Sequence, residues 1–221
     1  MTGHPIWTEA NVTVTGLDCN PQTPERMNTP MKLRLFAAIA ASTLFLADAS
    51  GAAATKTAVF AGGCFWSAEK ALESAPGVIS AVSGYSGGTS TEPTYENHTG
   101  HLEAVKVTYD PAKISYAKLV SHFYRNIDPT DPTGQICDKG PAYRTAVFVS
   151  NPQERAVAEA ERVSVEKLLG AKVTVTTRAA APFYDAEAYH QDFAKKNPGH
   201  YERYRIGCGR DRVLTVVWGG R

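Results

Sequence analysis

Between Lys56 and Pro198 the apolar residues change period repeatedly. Lys56–Phe60 is a short apolar run that Gly62-Gly63 breaks, which predicts a strand. From Cys64 to Ala75 the apolar positions Phe65, Ala68, Leu72 and Ala75 recur at offsets of three and four, which predicts a helix stopped by Pro76-Gly77. Val78–Val82 reads as a second strand, closed by the loop Gly84-Tyr85-Ser86-Gly87-Gly88. Glu103–Tyr109 alternates strictly and predicts a half-buried strand. Ser115–Asn126 places Leu119, Val120 and Phe123 on one helical face, and a polar loop follows from Asp128 to Pro141. Thr145–Val149 predicts a strand, Pro152–Leu169 an amphipathic helix with proline at its start, Lys172–Thr177 a strand and Asp185–Lys196 a last helix. After Pro198 no period is visible, and an irregular tail rich in Gly and Arg is expected.

Strands alternating with helices predict an α/β fold: a single-domain, two-layer sandwich with a mixed sheet and a ferredoxin-like core. The domain is expected over residues 55–210, with a tail at 211–221. Apolar residues make up 43% of the 221-residue chain, enough to build a core. The net charge of +1 supplies no basic field for nucleic acid or for acidic lipid.

Upstream of the domain the pattern is that of a processing signal. Met31-Lys32-Leu33-Arg34 is a basic start, Leu35–Ala47 an apolar run, and Ala47-Asp48-Ala49 and Ala52-Ala53-Ala54 offer small residues for cleavage. Residues 31–54 are therefore expected to be a signal peptide, which predicts a periplasmic or secreted product without a membrane anchor after cleavage. Residues 1–30 are polar and patternless, and translation starting at Met27 or Met31 would omit most of them. Export alters the reading of the cysteines. Without Cys19, an odd set remains, Cys64, Cys137 and Cys208, and in an oxidising compartment that suggests a working thiol. No Cys-x-x-Cys and no closely spaced Cys/His set exists, so a structural zinc site is not expected.

Gly62-Gly63-Cys64-Phe65-Trp66 carries the chemistry. A cysteine at a strand-to-helix turn sits among unpaired N–H groups at the positive end of the helix dipole, and both favour the nucleophilic thiolate. Two aromatic residues beside it suit a small apolar substrate such as a thioether or S-methyl group. Taken alone, the same five residues also fit a buried structural cysteine.

The rest of the chain removes that ambiguity. Gly63-Cys64-Phe65-Trp66 resembles the active-site signature of the A-type peptide methionine sulfoxide reductases. So do Gly84-Tyr85-Ser86-Gly87-Gly88, Pro93-Thr94-Tyr95-Glu96, Thr99-Gly100-His101-Leu102-Glu103-Ala104-Val105 and Tyr109-Asp110-Pro111. Asp128-Pro129-Thr130, Asp138-Lys139-Gly140 with Tyr143-Arg144-Thr145, and Ala186-Glu187 with Tyr189-His190-Gln191 continue the match in order. The resemblance implies reduction of the S epimer of methionine sulfoxide, free or in proteins. Cys64 would be the nucleophile and Glu103 the acid that protonates the departing oxygen. Tyr85 and Tyr143 would hydrogen-bond that oxygen, Asp138 would belong to the same site, and Phe65 and Trp66 would hold the methyl group. A second thiol would then close a disulfide for a thioredoxin-like reductant to open, and the resemblance implies no bound organic cofactor and no metal. Cys208, in a glycine-flanked tail, is the expected resolving thiol. Cys137 departs from the family pattern, adjoins Asp138 and is the alternative. A monomer is expected. Two other readings stay open on the residues alone: a thiol peroxidase or hydrolase, and an exported module that binds Met-containing segments without catalysis.

Overall fold

The computed structural model describes residues 54–219. The upstream stretch 1–30, with Cys19, and all but the last residue of the expected signal peptide lie outside the described residues. Among the described residues no helix is long and apolar enough to cross a membrane.

The elements run β1 (Lys56–Ala61), α1 (Phe65–Glu73), β2 (Val78–Ser86), β3 (Leu102–Tyr109), α2 (Tyr116–Arg125), β4 (Gly134–Gln135), β5 (Asp138–Lys139), β6 (Ala146–Val149), α3 (Pro152–Leu169), β7 (Thr176–Ala179), β8 (Phe183–Asp185), α4 (Phe193–Lys196), α5 (Pro198–Gly207) and α6 (Arg210–Trp218). A 3-10 turn, Pro141–Tyr143, follows β5. Six strands form one sheet in the order β7-β6-β1-β3-β2-β8, and β4 with β5 makes a separate hairpin. The inner four strands are antiparallel. They are built from two interleaved units, β1-α1-β2 and β3-α2-β6, each leaving room for a strand of the other, which is the expected ferredoxin-like core. Parallel β7 and antiparallel β8 extend the two edges and make the sheet mixed.

Period-two alternation sends Phe60, Val105, Val107 and Val147 to the face covered by Leu72 of α1, Leu119, Val120 and Phe123 of α2, and Val165 of α3. Ala61, Leu102, Ala104, Ala146 and Phe148 form a smaller cluster on the other face, covered by Ala181 and Phe183. Local signals set the helix starts. Ser115 caps α2 by accepting from Lys118 N, and Asn151 caps α3 by accepting from Glu154 N at 2.8 Å, with Pro152 in the first turn. All three methionines, Met1, Met27 and Met31, precede the described residues, so aromatic rings and Val, Ala and Leu fill the core.

Three expectations need correction. The expected strand at Lys172–Thr177 begins only at Thr176, where the chain comes alongside β6. The expected helix at Asp185–Lys196 shrinks to Phe193–Lys196. Asp185 pairs with β2, the Gln191 side chain bonds Ser83 N, Ser83 O and Ala186 O, and Asp192 is left-handed with its N–H on Glu69. Those bonds occupy groups that a continuous helix would need. The expected irregular tail is two helices. Tyr201 and Tyr204 of α5 are buried, and Trp218 of α6 donates its indole N–H to Ile127 O at 3.0 Å, so α6 packs on the same core.

Candidate active site

The site begins where β1 ends. Gly63 has φ +79, a left-handed value that glycine tolerates, and a side chain there would collide with Gln135 of β4. The turn delivers Cys64 to the N-cap of α1, fully buried, with its carbonyl accepting from Ser67 N at 3.1 Å and Ala68 N at 3.2 Å. The next N–H, on Phe65, donates to Glu103 Oε2 at 2.9 Å. A carboxyl group from β3 thus meets the first turn of α1, one residue from the sulfur-bearing position. Glu103 is fully buried, and its Oε1 makes no hydrogen bond among the described residues. Burial pushes its pKa well above the ordinary carboxylate range. The Phe65 N–H opposes that shift and the nearby charge of Asp138 adds to it. Glu103 is therefore biased towards its protonated form, and its Oε1 is placed to deliver a proton.

Tyr85 stands opposite Glu103 in the β2–β3 register. Its hydroxyl donates to Glu187 Oε2 at 3.0 Å, while Glu187 Oε1 accepts from Tyr95 N at 2.8 Å. Burial would raise the Glu187 carboxyl, but the Tyr95 and Tyr85 hydrogen bonds and His190 outweigh it and hold the group below its ordinary range. Tyr143, in the 3-10 turn, is half-buried and shares a hydrogen bond with the Tyr95 side chain. Burial, followed by Glu103, Tyr95 and Asp138, raises its acidity limit, so its phenol stays neutral. Asp138 of β5 is buried and accepts from Tyr204 Oη at 2.6 Å. Cys64, Glu103, Tyr85, Tyr143 and Asp138 thus come from β1–α1, β3, β2 and the hairpin region to surround one turn.

The same set of residues falls inside a single family match. The family profile described as Peptide methionine sulfoxide reductase matches residues 56–221. The chain belongs to the peptide methionine sulfoxide reductase family. It is 50% identical over 191 residues to peptide methionine sulfoxide reductase MsrA 2 of Caulobacter vibrioides, covering 84% of this chain and 97% of that protein. It is 46% identical over 181 residues to MsrA 2 of Rhizobium meliloti, covering 81% and 91%. Among solved structures it resembles methionine sulfoxide reductase A of Corynebacterium diphtheriae, with TM-score 0.59, 30% identity, and coverage of 67% of this chain and 77% of that one. It also resembles reduced Mxr1 of Saccharomyces cerevisiae, with TM-score 0.60, 28% identity, and coverage of 65% and 86%.

In this A-type reductase the two signature aromatics have different surroundings. Phe65 lies between Tyr85, ring centroids 5.9 Å apart, and His190, 4.8 Å apart. Trp66 is stacked on Phe193 at 3.6 Å and donates its indole N–H to His190 Nδ1 at 3.0 Å. Burial lowers the pKa of His190 to about 4, against the opposing pull of Glu187, so the imidazole is neutral and Nδ1 accepts. Phe65 is the aromatic nearer Tyr85, and Trp66 secures α1 to the segment after β8.

The remaining cysteines depart from expectation. Cys208 does not lie in a loose tail. It caps the C-terminus of α5, is half-buried against the core, and is disulfide-bonded to Cys137 with Cα atoms 5.3 Å apart. Cys137 is exposed at the tip of the β4–β5 hairpin, beside Ile136 at φ 58, a costly conformation for a β-branched residue. Gln135 pins the hairpin by accepting from Asp128 N at 2.7 Å and donating to Asp128 O at 3.0 Å.

Sequence reasoning gave no role to Glu187, Gln135 or Tyr204. Only Glu187 carried a signal, its three-residue spacing from His190. Among the described residues one acidic trio, Glu69, Glu73 and Asp192, has metal-ligand spacing. Its oxygens are already engaged: Glu69 accepts from Ser83 Oγ and Asp192 N, and Lys195 bridges Glu73 and Asp192.

Proposed function

We propose that this chain reduces the S epimer of methionine sulfoxide, free or in proteins, through a cysteine sulfenic acid. The observation that carries the reading is Glu103, a fully buried carboxyl hydrogen-bonded to the backbone N–H next to Cys64, whose burial favours its protonated form. The Cys64 thiolate attacks the sulfoxide sulfur while Glu103 supplies the proton that lets the oxygen leave sulfur. Tyr85 and Tyr143 donate to that oxygen as charge develops on it, and Tyr85 exchanges its Glu187 partner for substrate at that moment. Phe65, with Trp66 behind it, receives the methyl group. The hydroxyl then moves from the sulfoxide sulfur to Cys64 Sγ as the bond between the two sulfurs breaks, so methionine departs and Cys64 is left as the sulfenic acid.

The Cys137–Cys208 disulfide supports a relay. Cys137, whose hairpin packs on Gly63 through Gln135, condenses with the sulfenic acid and expels water. Cys208 then exchanges with Cys137, and a thioredoxin-like dithiol reduces the resulting pair. The basic start, apolar run and small residues at 31–54 support a periplasmic or secreted site of action.

The test is dithiothreitol-driven turnover on each resolved epimer. Methionine formation from the S epimer alone is expected. Rapid consumption of hydrogen peroxide with no methionine formed would instead identify a thiol peroxidase. Cell fractionation tests the location, and recovery of the product in the cytoplasm would overturn export.

A further inference from the structure

The last turn of α5 meets the β4–β5 hairpin at two neighbouring points. Tyr204 Oη donates to Asp138 Oδ2 at 2.6 Å, and Cys208 is bonded to Cys137. Asp138 and Cys137 are adjacent on the hairpin. Tyr204 and Cys208 are one helical turn apart, joined by the Cys208 N–H to Tyr204 O hydrogen bond at 2.9 Å. The covalent link and the hydrogen bond therefore run side by side between the same two elements.

The covalent link exists only in one redox state, whereas the donor and acceptor of the hydrogen bond need no oxidation to pair. Tyr204 and Asp138 are both buried. Burial, with the charge of Asp138, raises the acidity limit of the phenol, so Tyr204 remains a donor at any working pH. The hairpin's strands have two residues each; Gln135 and the Lys139–Asp131 ion pair tie it to the preceding loop, and Tyr204 ties it to α5.

We propose that Tyr204 is a positioning residue for the second thiol exchange, holding α5 on the hairpin while Cys137 and Cys208 are not yet bonded to each other. This rests on the relay described above. In the exchange, the Cys208 thiolate attacks Cys137 Sγ of the Cys64–Cys137 disulfide. The bond from Cys137 to Cys64 breaks, its electron pair leaves with Cys64 as thiolate, and the proton lost by Cys208 passes to solvent. One disulfide replaces another without net oxidation. Tyr204 touches none of the reacting sulfurs, so its effect is on how often they meet.

The experiment uses the full chain with Tyr204→Phe, which keeps the ring and removes the hydroxyl. Enzyme reduced and freed of dithiothreitol is mixed with one equivalent of methionine sulfoxide, quenched with an alkylating reagent at intervals and mapped by mass spectrometry. Methionine release is expected at the wild-type rate. Conversion of Cys64–Cys137 to Cys137–Cys208 should slow ~10–100-fold, the worth of one buried charge-assisted hydrogen bond. Unchanged conversion would overturn the proposal. An equal loss of methionine release would also overturn it, by placing Tyr204 with Asp138 in the acid site. Failure of the underlying relay looks different: wild type itself would form no methionine, or would form Cys64–Cys208 directly. A measurement on wild type covers a misfolded variant. Hydrogen exchange of the fully reduced protein should keep α5 protected, and collapse of that protection on reduction would overturn the clamp.

Discussion

Glu103 is a carboxyl group withdrawn from water, and its behaviour with pH follows from that. In the unfolded chain it ionises in the ordinary range, near 4.3, while in the fold it stays protonated far above that. The folded form therefore loses relative stability as pH rises from the ordinary range towards the raised one. Glu103→Gln cannot ionise in either state and keeps an acceptor for the Phe65 N–H. It should melt at a higher temperature than wild type at pH 7, with the difference closing near pH 4, as calorimetry across that range would record. The same substitution removes the proton donor, and single-turnover methionine release should fall ~100-fold or more. Unchanged release would leave Glu103 without a chemical role. Cys64→Ser should abolish turnover, because an alcohol is barely ionised at neutral pH. Residual activity above about a hundredth of wild type would remove Cys64 from the nucleophile's role.

Among the elements, the turn before α1 and the β4–β5 hairpin act as a pair. Gly63→Ala would have to hold φ +79 and push back Gln135, so it should cost ~1–3 kcal/mol of stability. Denaturant midpoints would measure that loss, and formation of the Cys64–Cys137 species should slow because the hairpin has moved. β1, α1, β3, α2, β6 and α3 were legible in the sequence because each is long enough to display its period. β8 and the hairpin strands, at two or three residues, show none, and α5 buries two tyrosines instead of an aliphatic stripe. Cys64, Glu103 and Tyr85 could be placed from motifs because they sit at strand ends and turns. Glu187 and Tyr204 could not. Their partners lie 102 and 66 residues away, and a single sequence holds no record of that pairing.

At the scale of the whole molecule, the Cys137–Cys208 bond spans 71 positions and ties the C-terminal helices to the middle of the chain. Closing a loop of that length restricts the unfolded chain by ~4 kcal/mol, so the oxidised protein should melt above the reduced one. α6 contributes by a separate route. Trp218 is 5% exposed and bonded to Ile127 O, and Arg210 donates to Asn126 O at the end of α2. Trp218→Ala should cost ~3–5 kcal/mol in urea unfolding. A loss under about 0.5 kcal/mol, the usual scale of a surface change, would mean that α6 is not docked in solution.

The composition of the core has its own consequence. Every methionine precedes residue 54. A protein whose substrate is oxidised methionine is, over residues 54–219, built without the residue that becomes that substrate. Oxidants that multiply its clients form no methionine sulfoxide within residues 54–219, so that part of one copy offers another no competing substrate. After exposure to hydrogen peroxide, peptide mapping should find methionine sulfoxide at Met1, Met27 or Met31 wherever those residues are retained, and nowhere between residues 54 and 219.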